Sequence, residues 1–312
     1  MNERIPSLGL FTTRTWKAPG TPVKSATVIL LIIGLAITPL FAEEPPRDLK
    51  QLLKLTPEQL QGMDVGRLNL VCTEGLHGAE NLDVEQQLKT LDRWADRVRF
   101  ETSRNSYRYR QRPEDFERSE AYFRMLVMIT VLQRDLRVSY NPERISTPSV
   151  ADLNSGAFFA DSKDIFLHGL LGDKRMGTCS SIPVLYVAIG RRLGYPLYLV
   201  SAKAHFFARW ESSDGKERLN IDGGARGLTT HSDNYYKSWP YPIEEKEIRD
   251  GQYLKNLATA GELAEFLVIR AGCLAVNGRV LEAREAMLQA SRLAPKIQRY
   301  VAALNANNES TK

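Results

Sequence analysis

The sequence predicts an α+β protein in which helices and antiparallel strands occupy different stretches of the chain. Three observations lead to this prediction. Helix-start signals and apolar residues at helical spacing dominate residues 47–145. One helix followed by short strands is predicted over residues 157–250, and two helices joined at Asn277-Gly278 are predicted over residues 258–304. With 312 residues and 43% hydrophobic content, the chain can bury a substantial core.

Residues 1–42 predict an export segment. Four basic residues precede an uncharged run over residues 25–42, and Glu43 and Glu44 follow it. This charge order favours a cytoplasmic N-terminus and a main body that crosses the membrane, so we expect a periplasmic or other extracytoplasmic location. The run is at the short limit for a membrane span. Cleavage after Ala42 and retention as an N-terminal membrane anchor are the alternatives.

Charge gives no indication of a nucleic-acid partner. Beyond residue 42 the formal charge is only +2, because residues 1–42 carry four basic side chains and one acidic side chain. Residues 103–118 interleave arginine with Tyr107 and Tyr109, as some nucleic-acid surfaces do, but they also include acidic side chains. We therefore expect a solvated helix face at this segment and no nucleic-acid partner.

The N-terminal part is predicted to be a helical subdomain over residues 47–145. Thr56-Pro57-Glu58-Gln59 has the pattern of a capping box with proline in the first turn, and a similar pattern begins at Asp83. After Asp83, apolar residues recur at steps of three and four, which predicts an amphipathic helix that reaches about Glu101. The run over residues 121–133 is apolar nearly all round and predicts a buried helix. Residues 141–156 are typical of a connecting loop.

Cys179 is the candidate nucleophile. Pro183 lacks a backbone N–H and is tolerated only in the first turn of a helix, so the helix over VLYVAIGRRL is predicted to begin just after Cys179. A cysteine at the positive end of a helix dipole, beside a protonated histidine, favours the thiolate form. Gly194 and Pro196 are predicted to end this helix before the strand LYLVSA. The nucleophile is thus expected on a rigid element.

His205 and Asp222 are predicted to meet across a β-hairpin. In AKAHFFARW, every second side chain from His205 shares one face of the strand. Asp214-Gly215 predicts a two-residue turn. The resulting pairs are Glu211 with Arg218, Arg209 with Asn220, and Phe207 with Asp222. His205 then lies diagonal to Asp222, with Cβ atoms about 7 Å apart, or directly opposite at about 5 Å if a bulge intervenes.

These three residues form a candidate catalytic site. Cys179 would act as nucleophile, His205 as base and then acid, and Asp222 as the group that orients the imidazole. The backbone N–H of Cys179 is one oxyanion donor, and the sequence indicates no second. The alternatives are three residues that never meet and a Cys/His/Asp zinc site. No CxxC, HExxH, phosphate-loop or dinucleotide motif is present, so we expect no cofactor and no metal.

The remaining cysteines and histidines are assigned structural positions. Cys72 and Cys273 are expected as two separately buried thiols, or else as a disulfide pair. A lone histidine is usually a surface or hydrogen-bonded residue, and we interpret the other three in this way: His77, His168 and His231.

Residues 264–295 resemble one tetratricopeptide unit. One repeat cannot bury its own apolar face. The alternatives are therefore a hairpin packed on the catalytic core and capped by residues 297–304, or a surface that binds a protein partner. The positions that match the motif are Ala271, Leu274, Gly278, Ala283, Met287, Ala290 and Pro295.

Several stretches resemble the transglutaminase-like superfamily, a branch of the papain-like cysteine fold, and in particular its bacterial SirB-like group. They are residues 69–98, the cysteine helix, the AKAHFFARW strand and LNIDGGARGL (219–228). The likeness covers most of residues 60–230. It implies an α+β core with a nucleophile helix and an antiparallel sheet, and it matches Cys179, His205 and Asp222 to the superfamily's triad.

The resemblance implies a function without defining a substrate. The superfamily includes cross-linking enzymes, peptidases, amidases and inactive members. KRMGT (174–178) lacks the tryptophan-rich signature of the cross-linking enzymes, which argues against amine transfer. We expect a thiol acyl hydrolase that acts on peptide or protein amides through a thioester. The alternative is a catalytically silent interaction protein that uses the same fold.

Overall fold

The structure is a computed structural model that describes residues 44–144, 156–224 and 226–300. The predicted export segment (1–42) therefore lies outside the described residues, as do most of the predicted loop and residues 301–304. The helices are α1 (Leu49–Leu52), α2 (Pro57–Leu60), α3 (Val65–Val71), α4 (Val84–Gln111), α5 (Glu120–Thr130), α6 (Ser162–Ile165), α7 (Leu167–Leu171), α8 (Ile182–Arg192), α9 (Asp233–Ser238), α10 (Glu245–Arg249), α11 (Thr259–Val276) and α12 (Val280–Leu293). The strands are β1 (Ser139–Tyr140), β2 (Met176–Gly177), β3 (Leu197–Ala202), β4 (His205–Glu211), β5 (Arg218–Asp222) and β6 (Thr229–Thr230).

The predicted helix starts of the N-terminal part are confirmed. Thr56 and Gln59 form the reciprocal capping box at the start of α2, and the Asp83 side chain accepts from Gln86 N at the start of α4. Helix α4 continues ten residues past the predicted end at Glu101. Tertiary contacts hold its last turns, and helical periodicity does not reveal such contacts. The Tyr109 ring stacks on the Phe123 ring with ring centres 5.6 Å apart.

A strand lies inside the stretch predicted as helical. The buried helix predicted over residues 121–133 is α5, and a π-helical turn over Val131–Asp135 follows it. The chain then enters β1, which pairs in parallel with β2 just before Cys179. Two residues of strand are too few to give an alternating pattern, so the sequence carried no signal for this pairing.

The larger sheet is antiparallel, with strand order β3-β4-β5-β6. Its β4–β5 register confirms two predicted pairs, Arg209 with Asn220 and Glu211 with Arg218. The connection is longer than the predicted two-residue turn. Ser212 N donates to Glu217 O at 2.9 Å, and Gly215 N donates to Ser212 O at 2.9 Å, with Gly215 at a positive φ of 70°. Glycine adopts this left-handed conformation without steric cost, so the Asp-Gly signal marked the correct place in the chain.

The two faces of the sheet pack against different groups. Phe206, Ala208 and Trp210 face the main hydrophobic core, against which α8 also packs. Phe207, on the opposite face, belongs to a smaller cluster with Tyr236. The predicted alternation along β4 is therefore confirmed, and it leaves His205 on the face of the smaller cluster.

One hydrophobic core includes residues from all three predicted parts of the chain. It contains Leu91 of α4, Leu185 of α8 and Leu267 of α11, each with no exposed surface. The described residues from Pro45 onward form a single unit. Because the helical parts share this core with the sheet, they fix the position of α8 relative to the strands.

The C-terminal helices α11 and α12 flank Asn277-Gly278, as the pattern predicts, and α11 packs against α3. Their likeness to a tetratricopeptide unit stays a prediction. The Arg270 guanidinium on α11 donates to the carbonyl oxygen of Cys72 at 2.8 Å. Cys72 and Cys273 are both buried free thiols, and burial raises the pKa of each to about 12.

No helix within residues 44–144, 156–224 and 226–300 has both the length and the apolar character needed to span a bilayer.

Candidate active site

Cys179 lies in a tight turn that leads directly into α8. Thr178 O accepts from the N–H groups of Ser181 at 3.1 Å and Ile182 at 3.0 Å, while Thr178 N donates to Ser181 Oγ at 3.0 Å. Pro183 occupies the first turn, and the helix begins at Ile182, shortly after Cys179, as predicted. Cys179 therefore lies just ahead of the helix. These backbone hydrogen bonds hold the thiol in a fixed position, with 8% of the residue exposed.

His205 and Asp222 lie at the same end of neighbouring strands. His205 is the first residue of β4 and Asp222 is the last residue of β5, so the antiparallel arrangement brings them together. His205 Nε2 lies 2.8 Å from Asp222 Oδ2, and both residues are buried, each with 6% of its surface exposed. The diagonal relationship expected from the hairpin register is thus close enough for a direct hydrogen bond.

A glycine allows the end of β5 to approach the start of α8. A Cβ atom at Gly223 would lie 2.8 Å from the Cγ2 atom of Ile182, closer than real Cβ contacts permit. Any larger residue would push Asp222 and its strand away from the turn that carries Cys179. Gly223 is therefore a packing requirement of the site.

The imidazole of His205 also interacts with the side chain of Cys179. Because Nε2 faces Asp222, the nitrogen available to the thiol is Nδ1. Burial by itself lowers the pKa of His205, but the hydrogen bonds and charges of Asp222 and Cys179 outweigh it and raise the pKa to about 9. The fold therefore favours an imidazolium at neutral pH, which stabilises a neighbouring thiolate.

Asp222 is held as a carboxylate by donors on both oxygens. Oδ1 accepts from Gly224 N at 2.6 Å, and Oδ2 accepts from the Tyr236 hydroxyl at 3.0 Å in addition to His205. Burial would raise the pKa of this carboxyl group, but His205 and these hydrogen bonds lower it below the ordinary value. A carboxylate fixed in this way can orient an imidazole and stabilise its charged form.

Two aromatic side chains that the sequence analysis did not single out enclose His205. Tyr236 of α9 stacks on the imidazole with ring centres 5.8 Å apart, and the Trp239 ring contacts it edge-on at 4.7 Å. Tyr236 also stacks on Phe207 at 3.9 Å, which fixes its position. These rings keep water away from one side of the imidazole and so strengthen its interactions with charged groups. The cluster of aromatic residues after the Asp222 strand was the available signal.

Tyr140 is a third residue that the sequence analysis missed. It lies opposite Gly177 in the parallel β1–β2 pair, and its hydroxyl group interacts with both the backbone and the side chain of Cys179. Burial is the main reason that the pKa of Tyr140 is raised above its usual range, so the phenol stays protonated. Tyr140 lies 39 residues before Cys179 in the chain, and only the β1–β2 pairing brings the two together.

A buried polar network lies behind the histidine. Arg209, with 1% of its surface exposed, donates to Asn220 Oδ1 at 2.7 Å and to Asp233 Oδ1 at 2.7 Å. Asn220 in turn donates to His231 O and to Asp233. Asn220 therefore supports the sheet and α9 from within.

The other three histidine side chains make no hydrogen bond to Cys179, His205 or Asp222, although the His231 ring contacts the Tyr236 ring edge-on at 5.9 Å. His168 is buried, with Nε2 3.2 Å from Ser162 Oγ, and burial lowers its pKa to about 4. His77 is largely exposed and lies 3.1 Å from Glu80, and His231 stacks on Tyr235 at 3.9 Å. Within the parts of the chain that the structure describes, no group of three or more His, Cys, Asp or Glu side chains has an arrangement that could hold a metal ion. The Cys179, His205 and Asp222 set is included in that finding.

The segment that contains these side chains matches a known protein family. The family model described as the transglutaminase-like superfamily matches residues 85–239. The chain therefore contains a transglutaminase-like domain. This domain begins in α4 and ends at Trp239, so it includes Tyr140, Cys179, His205 and Asp222. Its mixed helical and antiparallel architecture agrees with the predicted α+β class. No match was found among curated proteins or among solved structures.

Proposed function

We propose that this protein is an exported thiol acyl hydrolase that cleaves peptide or isopeptide amides through a thioester on Cys179. The observation that carries the proposal is the position of His205, which hydrogen-bonds to Asp222 at 2.8 Å and also interacts with the side chain of Cys179. This order of groups is the one that nucleophilic catalysis by a thiolate requires. A papain-like fold and membership of the SirB-like group are part of the proposal. The transglutaminase-like match over residues 85–239 supports the papain-like fold, and the SirB-like group rests on the sequence resemblance.

In the first half of the reaction, the Cys179 sulfur attacks the carbonyl carbon of the amide. A C–S bond forms, and the electron pair of the carbonyl π bond moves to oxygen, where the backbone N–H of Cys179 can donate to it. The C–N bond then breaks as the carbonyl re-forms, and the leaving amine takes a proton from the His205 imidazolium. Asp222 keeps the His205 ring in the same orientation while the charge of that ring changes.

In the second half, water attacks the thioester. His205, now neutral, accepts a proton from the water while the new C–O bond forms. Collapse of this second tetrahedral intermediate breaks the C–S bond and releases the carboxylic acid. The site returns to a Cys179 thiolate beside a protonated His205. An amine in place of water would give transfer, and we favour hydrolysis because the tryptophan-rich signature of cross-linking enzymes is absent before Cys179.

Export is the second part of the proposal. It rests on the order of basic, uncharged and acidic residues in the first 44 positions. The chain would act in the periplasm or another extracytoplasmic space, either after cleavage at Ala42 or anchored through residues 25–42. Fractionation of cells that express the tagged chain tests this part. Recovery in the cytoplasm alone would contradict it.

Alkylation of the native protein tests the catalytic part. We expect iodoacetamide to modify Cys179 at pH 6.5 almost as fast as at pH 8.5, because a thiolate beside an imidazolium persists at the lower pH. Cys72 and Cys273 serve as internal controls, since both are buried and should remain unmodified. His205→Ala should slow the reaction at pH 6.5 by roughly tenfold or more, as expected for an ordinary thiol that titrates near pH 8.5. Equal rates in the two proteins at pH 6.5 would contradict the proposal.

A catalytically silent interaction protein is the second candidate function. Three apolar side chains are exposed where α11 meets α12, with exposed fractions of 42% for Val276, 51% for Val280 and 83% for Leu281. Such a cluster suits contact with a protein partner. In that case Leu281→Ser would weaken capture of the partner, whereas Cys179→Ala would have no effect on it. Mapping of an acyl adduct to Cys179 favours the hydrolase instead.

A further inference from the structure

Tyr140 has a position that suits a direct part in the chemistry. Tyr140 lies opposite Gly177, two residues before Cys179, and its hydroxyl group interacts with the backbone and the side chain of Cys179, the two groups that matter most for acyl transfer. The phenol ring also reaches the opposite side of the site, since it lies 4.0 Å from the position that a Cβ of Gly224 would occupy. The Gly224 N–H donates to Asp222, so Tyr140 spans the space between Cys179 and Asp222.

We propose that the Tyr140 hydroxyl is the second oxyanion donor of this site, acting beside the backbone N–H of Cys179. The inference rests on the proposed acyl-transfer function and goes beyond it by assigning a residue to the stabilisation of the tetrahedral intermediate. A hydrogen-bond donor aimed at the developing oxyanion is worth about 10²- to 10³-fold in rate in comparable sites.

The movement of negative charge during the reaction explains how one hydroxyl group can stabilise both the resting thiolate and the tetrahedral intermediate. Before attack, negative charge is on sulfur, and the Tyr140 O–H can point to that sulfur, which leaves the Cys179 N–H for the carbonyl oxygen of the substrate. When the C–S bond forms, the sulfur electron pair becomes the new bond and the carbonyl π pair moves to oxygen. The negative charge then lies on that oxygen, and rotation about the phenol C–O bond redirects the same O–H to it. No proton leaves Tyr140 during this step.

The protonation state of Tyr140 fits this role. A donor must keep its proton, and burial raises the pKa of this phenol above its ordinary value. The neighbouring negative charges of Cys179 and Asp222 act in the same direction. Tyr140 therefore remains a neutral donor over the whole range in which a thiolate enzyme works.

The backbone holds Tyr140 in place without help from its hydroxyl. Ser139 N donates to Arg175 O at 3.0 Å and Asn141 N donates to Gly177 O at 2.8 Å, one on each side of Tyr140. The Asn141 side chain also donates to Asp164 Oδ1 at 2.9 Å. Tyr140→Phe should therefore leave the ring where it is and remove the donor alone.

Two reactions of the full-length protein separate donor loss from damage to the site. Alkylation by iodoacetamide displaces iodide at a saturated carbon and forms no oxyanion, whereas acylation by p-nitrophenyl acetate passes through a tetrahedral oxyanion. We expect Tyr140→Phe to lower the acylation rate about 10²-fold and to change the alkylation rate by less than about threefold. Tyr198→Phe, which removes a phenol on β3 outside the site, is the control and should change neither rate.

The outcomes distinguish this assignment from the proposed function. Wild-type protein that forms no acetyl adduct on Cys179 overturns both. Acylation through Cys179 with the same ratio of acylation to alkylation rates in Tyr140→Phe overturns only the role of Tyr140. A parallel loss of both rates also overturns it, since that result indicates a positional role. Should Tyr140→Phe fail to fold, 4-fluorophenylalanine at position 140, which is close to tyrosine in shape and has no O–H donor, provides the same comparison of rates.

Discussion

His205 Nε2 and Asp222 Oδ2 lie 2.8 Å apart at the end of two adjacent antiparallel strands, with both side chains almost fully buried. This hydrogen bond leaves Nδ1 as the imidazole nitrogen available to Cys179. Together with the interaction with Cys179, it raises the pKa of His205 to about 9 against the effect of burial. The contact with Asp222 therefore helps to set both the orientation and the charge of the group that would activate the thiol.

Asp222→Asn is expected to lower the reactivity of Cys179 at neutral pH. An amide can donate to Nε2 and so permits the wrong tautomer, and it no longer stabilises the imidazolium. We predict a fall of about 10²- to 10⁴-fold in acylation by p-nitrophenyl acetate at pH 7. Asp214→Asn, in the exposed hairpin turn, is the matched control and should react as the wild type does. An unchanged rate in Asp222→Asn would exclude Asp222 from the mechanism.

The same contact makes stability depend on pH in the neutral to alkaline range. The pKa of His205 is about 9 in the fold and about 6.5 in the unfolded chain, so its contribution is complete below pH 6.5 and is lost as pH rises through 9. We predict that the free energy of unfolding in urea falls between pH 6.5 and 8.5, with a total loss by pH 9 on the order of 3 kcal/mol at most. Asp222→Asn should flatten this dependence. Because both proteins keep Cys72 and Cys273, titration of those thiols cancels in the comparison, and parallel curves would contradict the prediction.

Tyr236→Phe is expected to weaken the support of Asp222 without moving the ring. The phenol donates to Asp222 Oδ2 at 3.0 Å, and stacking on Phe207 at 3.9 Å should hold the ring in place. Loss of a hydrogen bond to a charged group corresponds to about tenfold in the acylation rate. Tyr235→Phe, on the exposed side of α9, should have no effect on that rate. A loss of equal size in both variants would indicate a general disturbance of α9.

Arg209→Met is expected to destabilise the protein by about 3–5 kcal/mol, measured by urea unfolding. The guanidinium is buried and bonds to Asn220, Asn256 and Asp233, so its removal leaves several polar groups without a partner. Arg218→Met is the matched control, because Arg218 also pairs with Asp233 at 3.0 Å but is 47% exposed. We expect less than about 1 kcal/mol for that change. Equal losses would show that burial does not decide the contribution of these two arginines.

His168→Gln is expected to remove part of the acid sensitivity of the fold. Burial lowers the pKa of His168 to about 4, below the value of about 6.5 in the unfolded chain. As pH falls, His168 is protonated in the unfolded chain before it is protonated in the fold. The free energy of unfolding therefore falls as pH decreases from 6.5 to 4, by up to roughly 3 kcal/mol. Glutamine keeps a donor for Ser162 but does not titrate. Urea midpoints at pH 7 and pH 4.5 should converge in His168→Gln, while His77→Gln, a change at an exposed site, should retain the wild-type difference.

The hairpin illustrates how far local sequence signals reach. Asp214-Gly215 and the alternation along AKAHFFARW gave the correct pairs, Arg209 with Asn220 and Glu211 with Arg218. The turn itself is longer than predicted, because Ser212 closes it through its own backbone and side chain, with Ser212 Oγ bonded to Glu217 N. Register depends on the alternation of faces over many residues, whereas turn length depends on a few local hydrogen bonds.

Residues that support the site from a distance left no readable pattern. Tyr140 reaches Cys179 through a two-residue parallel pair, and Tyr236 reaches Asp222 from a short helix after the sheet. Neither position follows from periodicity, since each depends on how separate elements pack. The extension of α4 to Gln111 has the same origin in contacts with the Phe123 ring.

The order of Cys179, His205 and Asp222 along the chain, with a proline-marked helix and an alternating hairpin around them, was determined by the sequence alone, because these signals act over a few neighbouring residues. The tertiary structure decided that His205 contacts both the other residues, that Gly223 lets β5 approach α8, and that Tyr140 joins Cys179. These contacts depend on one shared hydrophobic core that fixes α8 against the sheet, and a core of that kind is a property of many distant side chains packed together.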